Sequence, residues 1–271
     1  MSRKVANFLE SLIDLTGLIL SKRQKQRTVS RLVDKLTKDN LAEIETERGI
    51  LRINKNRSPY VASAAHHFFR DEPETLEWIR TMKSGDVFYD IGAASGVYSL
   101  YAALDPDIEV FSFEPNALSF SLLMENIKTN RLGNIRAYCL ALSDSNKQTF
   151  LEMANFSAGA GGNTLNEVSS GHSDLQKGYF KQPILTYTID RLISDFALPR
   201  PNHLKIDVDG IEPLVLKGAL DTLLGVDSVL IEIENEVLSL HKDNLIELLT
   251  SLGFHCKDKI DKNKRNYIFR K

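Results

Sequence analysis

The stretch Val87-Phe88-Tyr89-Asp90-Ile91-Gly92-Ala93-Ala94-Ser95-Gly96-Val97-Tyr98-Ser99-Leu100 passes from an apolar strand through a turn of small residues into a helix. That order is the setting of a loop that holds a nucleotide-containing cofactor. Gly92 and Gly96 let the backbone turn tightly and approach a ligand, while Ala93, Ala94 and Ser95 keep bulk out of the way. Glu114 closes the next apolar strand 22 residues after Gly92, where an acid accepts hydrogen bonds from ribose hydroxyls.

Asp90 separates two cofactor classes that share this grammar. A dinucleotide sets its pyrophosphate against the loop and the helix N-terminus, whereas S-adenosylmethionine sets a methionine moiety there, with an ammonium and a sulfonium. A carboxylate at the strand end repels the first and attracts the second. The third glycine of G-x-G-x-x-G is also missing, because only Gly92 and Gly96 are present. A plainer alternative is that Asp90 caps the turn.

A second group of acids lies in His203-Leu204-Lys205-Ile206-Asp207-Val208-Asp209-Gly210-Ile211-Glu212-Pro213. Asp209 and Glu212 have the spacing of a capping box. Asp207 falls at the carboxyl end of a strand beside the switch point of a doubly wound sheet, where ligands bind. Glu232 and Glu234 end the neighbouring strand, Ser228-Val229-Leu230-Ile231. Carboxylates converging on one rim could orient a cofactor, deprotonate a substrate or hold a divalent cation, so a metal remains an open expectation. Asp207 and Asp209 are the first candidates for a base, with Glu232 and Glu234 next. His203 precedes its strand and is expected far from the carboxyl end, while His172 lies in an insertion.

These residues need a parallel sheet behind them. Short apolar strands are predicted at 86–90, 108–113, 135–140, 203–207 and 228–233, each followed by a helical stretch, which is an α/β pattern with helices on both faces. Between the third and fourth, Gln148 to Met153 and Ile184 to Thr188 read as added strands. The segment Ser157-Ala158-Gly159-Ala160-Gly161-Gly162-Asn163 between them is too glycine-rich for regular structure and is expected to cover the acceptor site. Phe254 to Lys257 and Tyr267 to Arg270 suit an antiparallel edge hairpin. Upstream, Ala42 to Ile53 reads as a hairpin, and Glu72-Pro73-Glu74 as a helix start. The spacing divides the chain into an extension, 1–70, and a Rossmann-like domain, 71–271.

At these residues the chain resembles the FkbM family of methyltransferases. The matching pieces are Asp90 to Leu100, Phe113-Glu114-Pro115-Asn116, Ala141-Leu142-Ser143-Asp144, Leu204 to Glu212, and Leu216-Lys217-Gly218-Ala219, with Glu72 to Leu76 ahead of them. The resemblance implies a seven-stranded methyltransferase sheet and S-adenosylmethionine as donor. It implies that Asp90, Gly92 and Gly96 line the methionine end, that Glu114 meets the ribose, and that Ser143 with Asp144 lies near the adenine. Ala93, Ala94, Ser95, Tyr98, Pro115, Asn116 and Asp207 complete the candidate cofactor set. Two positions depart from the family pattern: Ala94 stands where asparagine is frequent, and Asp209 where glutamate is more usual. The acceptor implied is a small-molecule or glycan hydroxyl, on a sugar or a natural product.

Composition bounds the alternatives. At 42% hydrophobic and 26% charged residues the chain is an ordinary globular protein, away from disorder. A net charge of -2 disfavours nucleic acid as a partner. Cys139 and Cys256 lie far apart with no ligand spacing, which suits free thiols in a cytoplasmic protein. No apolar run is long enough to cross a membrane, and Glu10 and Asp14 interrupt the one that could serve as a signal peptide. Val5 to Ile19 forms an amphipathic helix pattern, followed by a basic run at 21–27. It suits a helical cap on the domain or on a second copy of the chain, or else an anionic surface. Two other functions stay open at this point: a nicotinamide-dependent oxidoreductase, and a non-catalytic scaffolding relative.

Overall fold

The computed structural model describes residues 40–165, 180–233, 242–256 and 265–271, with 23, 24 and 27. The amphipathic pattern over 5–19, and with it any oligomer formed there, lies outside the described residues, as do Glu234 and His172. Strands β1 (Leu41–Thr46) and β2 (Gly49–Asn54) pair as the expected hairpin. Helix α1 (Pro59–His66) opens on a proline, and the Ser58 hydroxyl accepts the Val61 N–H. A short turn of helix, α2 (Phe68–Asp71), leads to α3 (Pro73–Arg80), which starts at the expected proline.

The body of the chain then runs β3 (Val87–Ile91), α4 (Val97–Ala103), β4 (Glu109–Phe113), α5 (Ala117–Asn130) and β5 (Ile135–Tyr138). An insertion follows, with β6 (Ala141–Leu142), β7 (Lys147–Met153), β8 (Asn163–Leu165) and β9 (Phe180–Tyr187). After α6 (Ile189–Phe196) come β10 (His203–Ile206), α7 (Glu212–Lys217), α8 (Leu220–Leu223), β11 (Ser228–Glu232), α9 (Lys242–Ser251), β12 (His255–Cys256) and β13 (Asn266–Arg270).

Seven strands form one sheet in the order β12-β13-β11-β10-β3-β4-β5. β11, β10, β3, β4 and β5 are parallel, and β13 runs antiparallel between β11 and β12. This is a Rossmann-like sheet, and the strands expected from sequence lie within a residue or two of those observed. Side-chain alternation gives each face its own core. Phe88, Val110 and Leu230 pack with Leu51, Ile53, Val61, Phe68, Trp78 and Leu100, so residues on both sides of position 70 share one core. Ile91, Phe113, Ile206 and Ile231 pack on the other face with Val215, Leu216, Leu245 and Leu249.

The insertion builds a second sheet, ordered β6-β9-β7-β8, with β7 antiparallel to β9. Its inner residues Leu151, Met153 and Ile184 join the core around Phe111 and Phe113. From β3 the chain winds outward through β4 and β5, then returns to pair β10 with the other side of β3. The carboxyl ends of β3 and β10 therefore flank a crevice, the place where doubly wound sheets bind ligands. Among the described residues no helix is long and apolar enough to cross a membrane.

Candidate active site

Gly92 and Gly96, both at φ 84°, carry the turn from β3 into α4, and Ala94 between them is also left-handed at φ 48°. The N–H groups of Gly92 and Ala93 donate to the Phe113 carbonyl, at 2.9 and 3.1 Å, which lays the loop across the end of β4. Glu114 completes the tie. One carboxylate oxygen accepts the Ala94 N–H at 2.7 Å, and the other accepts the Asn116 N–H at 2.7 Å. Burial pushes Glu114 up to about 7, although those two N–H bonds favour its ionised form.

Asp90 is 1% exposed at the end of β3. One oxygen accepts from the Ser99 hydroxyl at 2.5 Å, and Ser112 donates to Ser99 in turn. The other oxygen, Oδ1, is buried with no hydrogen-bond partner among the described residues. Burial holds the Asp90 carboxyl above its ordinary range, while the Lys205 ammonium opposes the shift. Lys205 sits beside Asp90 in the β10–β3 register and is 2% exposed. Its Nζ lies 2.6 Å from Asp207 Oδ2 and 5.2 Å from the centre of the Tyr98 ring. Burial alone would discharge this lysine, but the carboxylates of Asp207 and Asp90 outweigh it and keep the ammonium charged.

Asp207 and Glu232 form a carboxyl pair at the ends of β10 and β11. Burial opposes ionisation of both, and the Lys205 charge with a hydrogen bond from Glu232 draws Asp207 below its ordinary value. Glu232 moves the other way, raised by burial and by the neighbouring Asp207 charge. Sharing one site thus drives the two apart, Asp207 toward the ionised form and Glu232 toward the protonated one. Arg265 contacts Glu232 at 3.1 Å. Among the described residues no three His, Cys, Asp or Glu side chains are grouped as a metal site.

The expected capping box at 209–212 has a different form. α7 begins at Glu212 itself, whose buried carboxyl accepts the N–H groups of Gly210 at 3.1 Å and Val208 at 3.3 Å. Asp209, left-handed at φ 52°, sends its carboxylate to the insertion instead and accepts from Gly162 N at 3.0 Å and Asn163 N at 3.1 Å. Gly159 N donates to the Ser119 hydroxyl at 2.9 Å, so the glycine-rich segment is tied at both ends.

These parts surround a cleft of about 610 Å³, within the range of small-molecule sites. Gly92, Ala94, Glu114, Pro115, Asp207, Asp209 and Glu232 line it, all named from the sequence. A smaller cavity of about 180 Å³ is lined by Asp90, Ala93, Ser95, Tyr98 and Lys205. Four sequence candidates line neither cavity. Gly96 packs against Leu123, and Asn116 caps α5 by accepting from Leu118 N and Ser119 N. Ser143 is buried and Asp144 exposed, and the wall near them comes from Leu140, Ala141 and Leu142. His203 lies at the opposite end of β10, bonded to Ser228 and Asp86, as its position predicted.

Sequence reasoning passed over Lys205, Glu72, Tyr60, Ser63 and Arg265, which also line the cavities. Lys205 carried a signal, since a lysine inside a strand covered on both faces needs a buried anion. Glu72 was read as part of a helix start and of the family resemblance but given no role in the site, yet Tyr98 donates a hydrogen bond to it. Tyr60 and Ser63 reach the cleft because α1 packs on the same core as Phe88, which no local pattern announces.

The FkbM methyltransferase domain matches residues 90–256 of this chain, which includes both glycines of the loop, Glu114 and the carboxyl pair. The hexuronic acid methyltransferase AglP of Haloferax volcanii is 31% identical over 200 residues, covering 68% of this chain and 77% of that protein. The 31-O-demethyl-FK506 methyltransferase FkbM of Streptomyces tacrolimicus is 27% identical over 161 residues, 52% of this chain and 62% of that one. Among solved structures, the precorrin-6y C5,15-methyltransferase of Geobacter metallireducens GS-15 is similar at 15% identity and a TM-score of 0.44, covering 73% of this chain and 85% of that one. The match to the family runs through the cofactor loop and favours methyl transfer over nicotinamide chemistry: the chain belongs to the FkbM family of S-adenosylmethionine-dependent methyltransferases.

Proposed function

We propose that this chain methylates a hydroxyl oxygen on a sugar or a natural product. The observation that carries this reading is the placement of two carboxyl groups, Asp207 just past β10 and Glu232 at the end of β11, in the wall of the cleft beside Gly92. The two curated relatives support it, one named for a hexuronic acid and the other for an O-demethylated natural product.

The donor site is read the same way. Asp90 Oδ1, buried in the smaller cavity without a partner among the described residues, fits the ammonium of the methionine moiety. Glu114 keeps lone pairs for ribose hydroxyls, and Phe113, Pro115, Leu140 and Leu142 offer apolar surface for the adenine. S-adenosylmethionine, when bound, supplies an electrophilic methyl group on a sulfonium. Charge largely vanishes as that methyl moves, so positioning dominates the rate. Asp71 and Glu72 add carboxylates to the cleft, which suit an acceptor rich in hydroxyl donors. With the donor bound, Asp207 would accept the proton of the acceptor hydroxyl as that oxygen gains the methyl group. A carboxylate below its ordinary pKa suffices, because a hydroxyl becomes strongly acidic once its oxygen bonds to the methyl carbon.

Transfer of labelled methyl from S-adenosylmethionine to a panel of hexuronic acids, neutral hexoses and polyhydroxylated macrolides tests this. The expected product is a methyl ether, stable to mild alkali. An alkali-labile methyl ester, or transfer to none of these acceptors, would overturn the hydroxyl assignment.

A further inference from the structure

Asp209 lies next to the reaction centre, but its carboxylate points to chain segments rather than into open cleft. Its Oδ2 accepts two consecutive backbone N–H groups, those of Gly162 and Asn163. Its Oδ1 comes within 3.9 Å of where a β-carbon on Gly161 would stand. Asp209 holds left-handed backbone to do this, a conformation that costs a non-glycine residue energy and persists only where surrounding contacts impose it.

The segment it holds is short of side chains that could fix it. Gly159, Ala160, Gly161, Gly162 and Asn163 all line the cleft, and three of these are glycines, which lose the most backbone freedom on ordering. Its other anchors are the pairing of Asn163 with Met153, where β8 joins β7, and the contacts of Gly159. Gly159 donates to Ser119 and sits on Val61 so tightly that a β-carbon there would be 2.8 Å from Val61 Cγ2. Without Asp209 the end that runs into β8 loses its charge-assisted tie.

We propose that Asp209 is a positioning residue, which latches the glycine segment 157–163 so that it forms the wall met by the acceptor, and which takes no proton. The proposal rests on the methyltransferase reading above and divides the labour of its acids: Asp207 faces the reacting hydroxyl, and Asp209 shapes the space around it.

Asparagine provides the test, because its amide oxygen accepts the same two N–H groups but cannot act as a base. The full chain is compared as wild type, Asp209→Asn and Asp209→Ala, in three measurements: hydrogen exchange at the Gly162 and Asn163 amides, calorimetric affinity for S-adenosylhomocysteine, and methyl transfer to D-glucuronic acid across pH. In Asp209→Ala, exchange at the two amides should rise about tenfold or more, with KM rising more than kcat falls. In Asp209→Asn, exchange, KM and the pH profile should stay within about threefold of wild type, and S-adenosylhomocysteine affinity should hold in both variants. Unchanged exchange in Asp209→Ala would remove the latch. A loss in kcat on the order of 100-fold in Asp209→Asn, with a lost limb of the pH profile, would make Asp209 the base instead. If Asp209→Ala does not fold, Asp209→Asn against wild type still decides between latch and base. If the wild type transfers no methyl to glucuronic acid, that acceptor fails while the exchange measurement still decides the latch.

Discussion

The backbone carbonyl of Asp207 faces Gly92 so closely that a β-carbon there would lie 1.8 Å from its oxygen. The loops after β3 and β10 thus meet through a hydrogen atom, and Gly92 is also left-handed. Gly92→Ala must part the two loops. It should cost about 2–5 kcal/mol in denaturant unfolding and weaken S-adenosylhomocysteine at least tenfold. Wild-type stability and affinity would show that the loops separate freely.

In the proposed donor site, Glu114 should set how donor binding depends on pH. Its folded value of about 7 stands above the ordinary 4.5, so its contribution to the stability of the ligand-free protein is full below 4.5 and lost as pH rises through 7. Ribose hydroxyls prefer the ionised form, so affinity for S-adenosylhomocysteine should increase between pH 6 and 8. Glu114→Gln should flatten that rise and cost about 1–3 kcal/mol of binding at pH 8. A wild-type titration that does not change across this range would put the ribose elsewhere.

Within the carboxyl pair the two members should respond differently. Asp207→Asn removes the ionised group and should lower kcat by about 10²–10⁴. Glu232→Gln keeps a donor toward Asp207 and should lower kcat by less than about tenfold. Steady-state kinetics on both variants check the assignment, and the reverse ranking would transfer the base to Glu232.

Lys205 is the counter-charge for Asp207 and Asp90 inside the sheet. Lys205→Met would fill its volume but strand two buried carboxylates, at a cost of about 3–5 kcal/mol. The loss should shrink at low pH, where the stranded carboxyls take protons. Thermal melts at pH 5 and 8 measure this, and an equal loss at both would indicate packing rather than charge.

The strands of the main sheet were legible because each is a short apolar run between turn residues, and the register of the alternating faces follows from that. β6 and β8 were not, since strands of two and three residues carry no period and exist only through their partners. In the site, Asp90, Gly92, Glu114 and Asp207 were readable from their places at strand ends. Asp209 was readable as an acid but not by its target, because Gly162 and Asn163 are nearly fifty residues away along the chain. Ser143 and Asp144 were placed by resemblance near the adenine, and the cleft is lined by Leu140, Ala141 and Leu142 just before them. Tyr60 and Ser63 depend on how the hairpin and α1 pack, which local sequence does not encode.

Trp78 is the chain's sole tryptophan, and it is 1% exposed. Its indole N–H donates to Ser228 at 2.8 Å, and its ring meets Phe88 and His203 edge-on. Ser228 and His203 are the first residues of β11 and β10, so the indole sits at the end of the sheet opposite the cleft. The protein therefore carries an intrinsic optical probe of its core that is remote from its ligands. Its fluorescence should stay constant while donor or acceptor is titrated, and should red-shift only when the sheet itself opens to water.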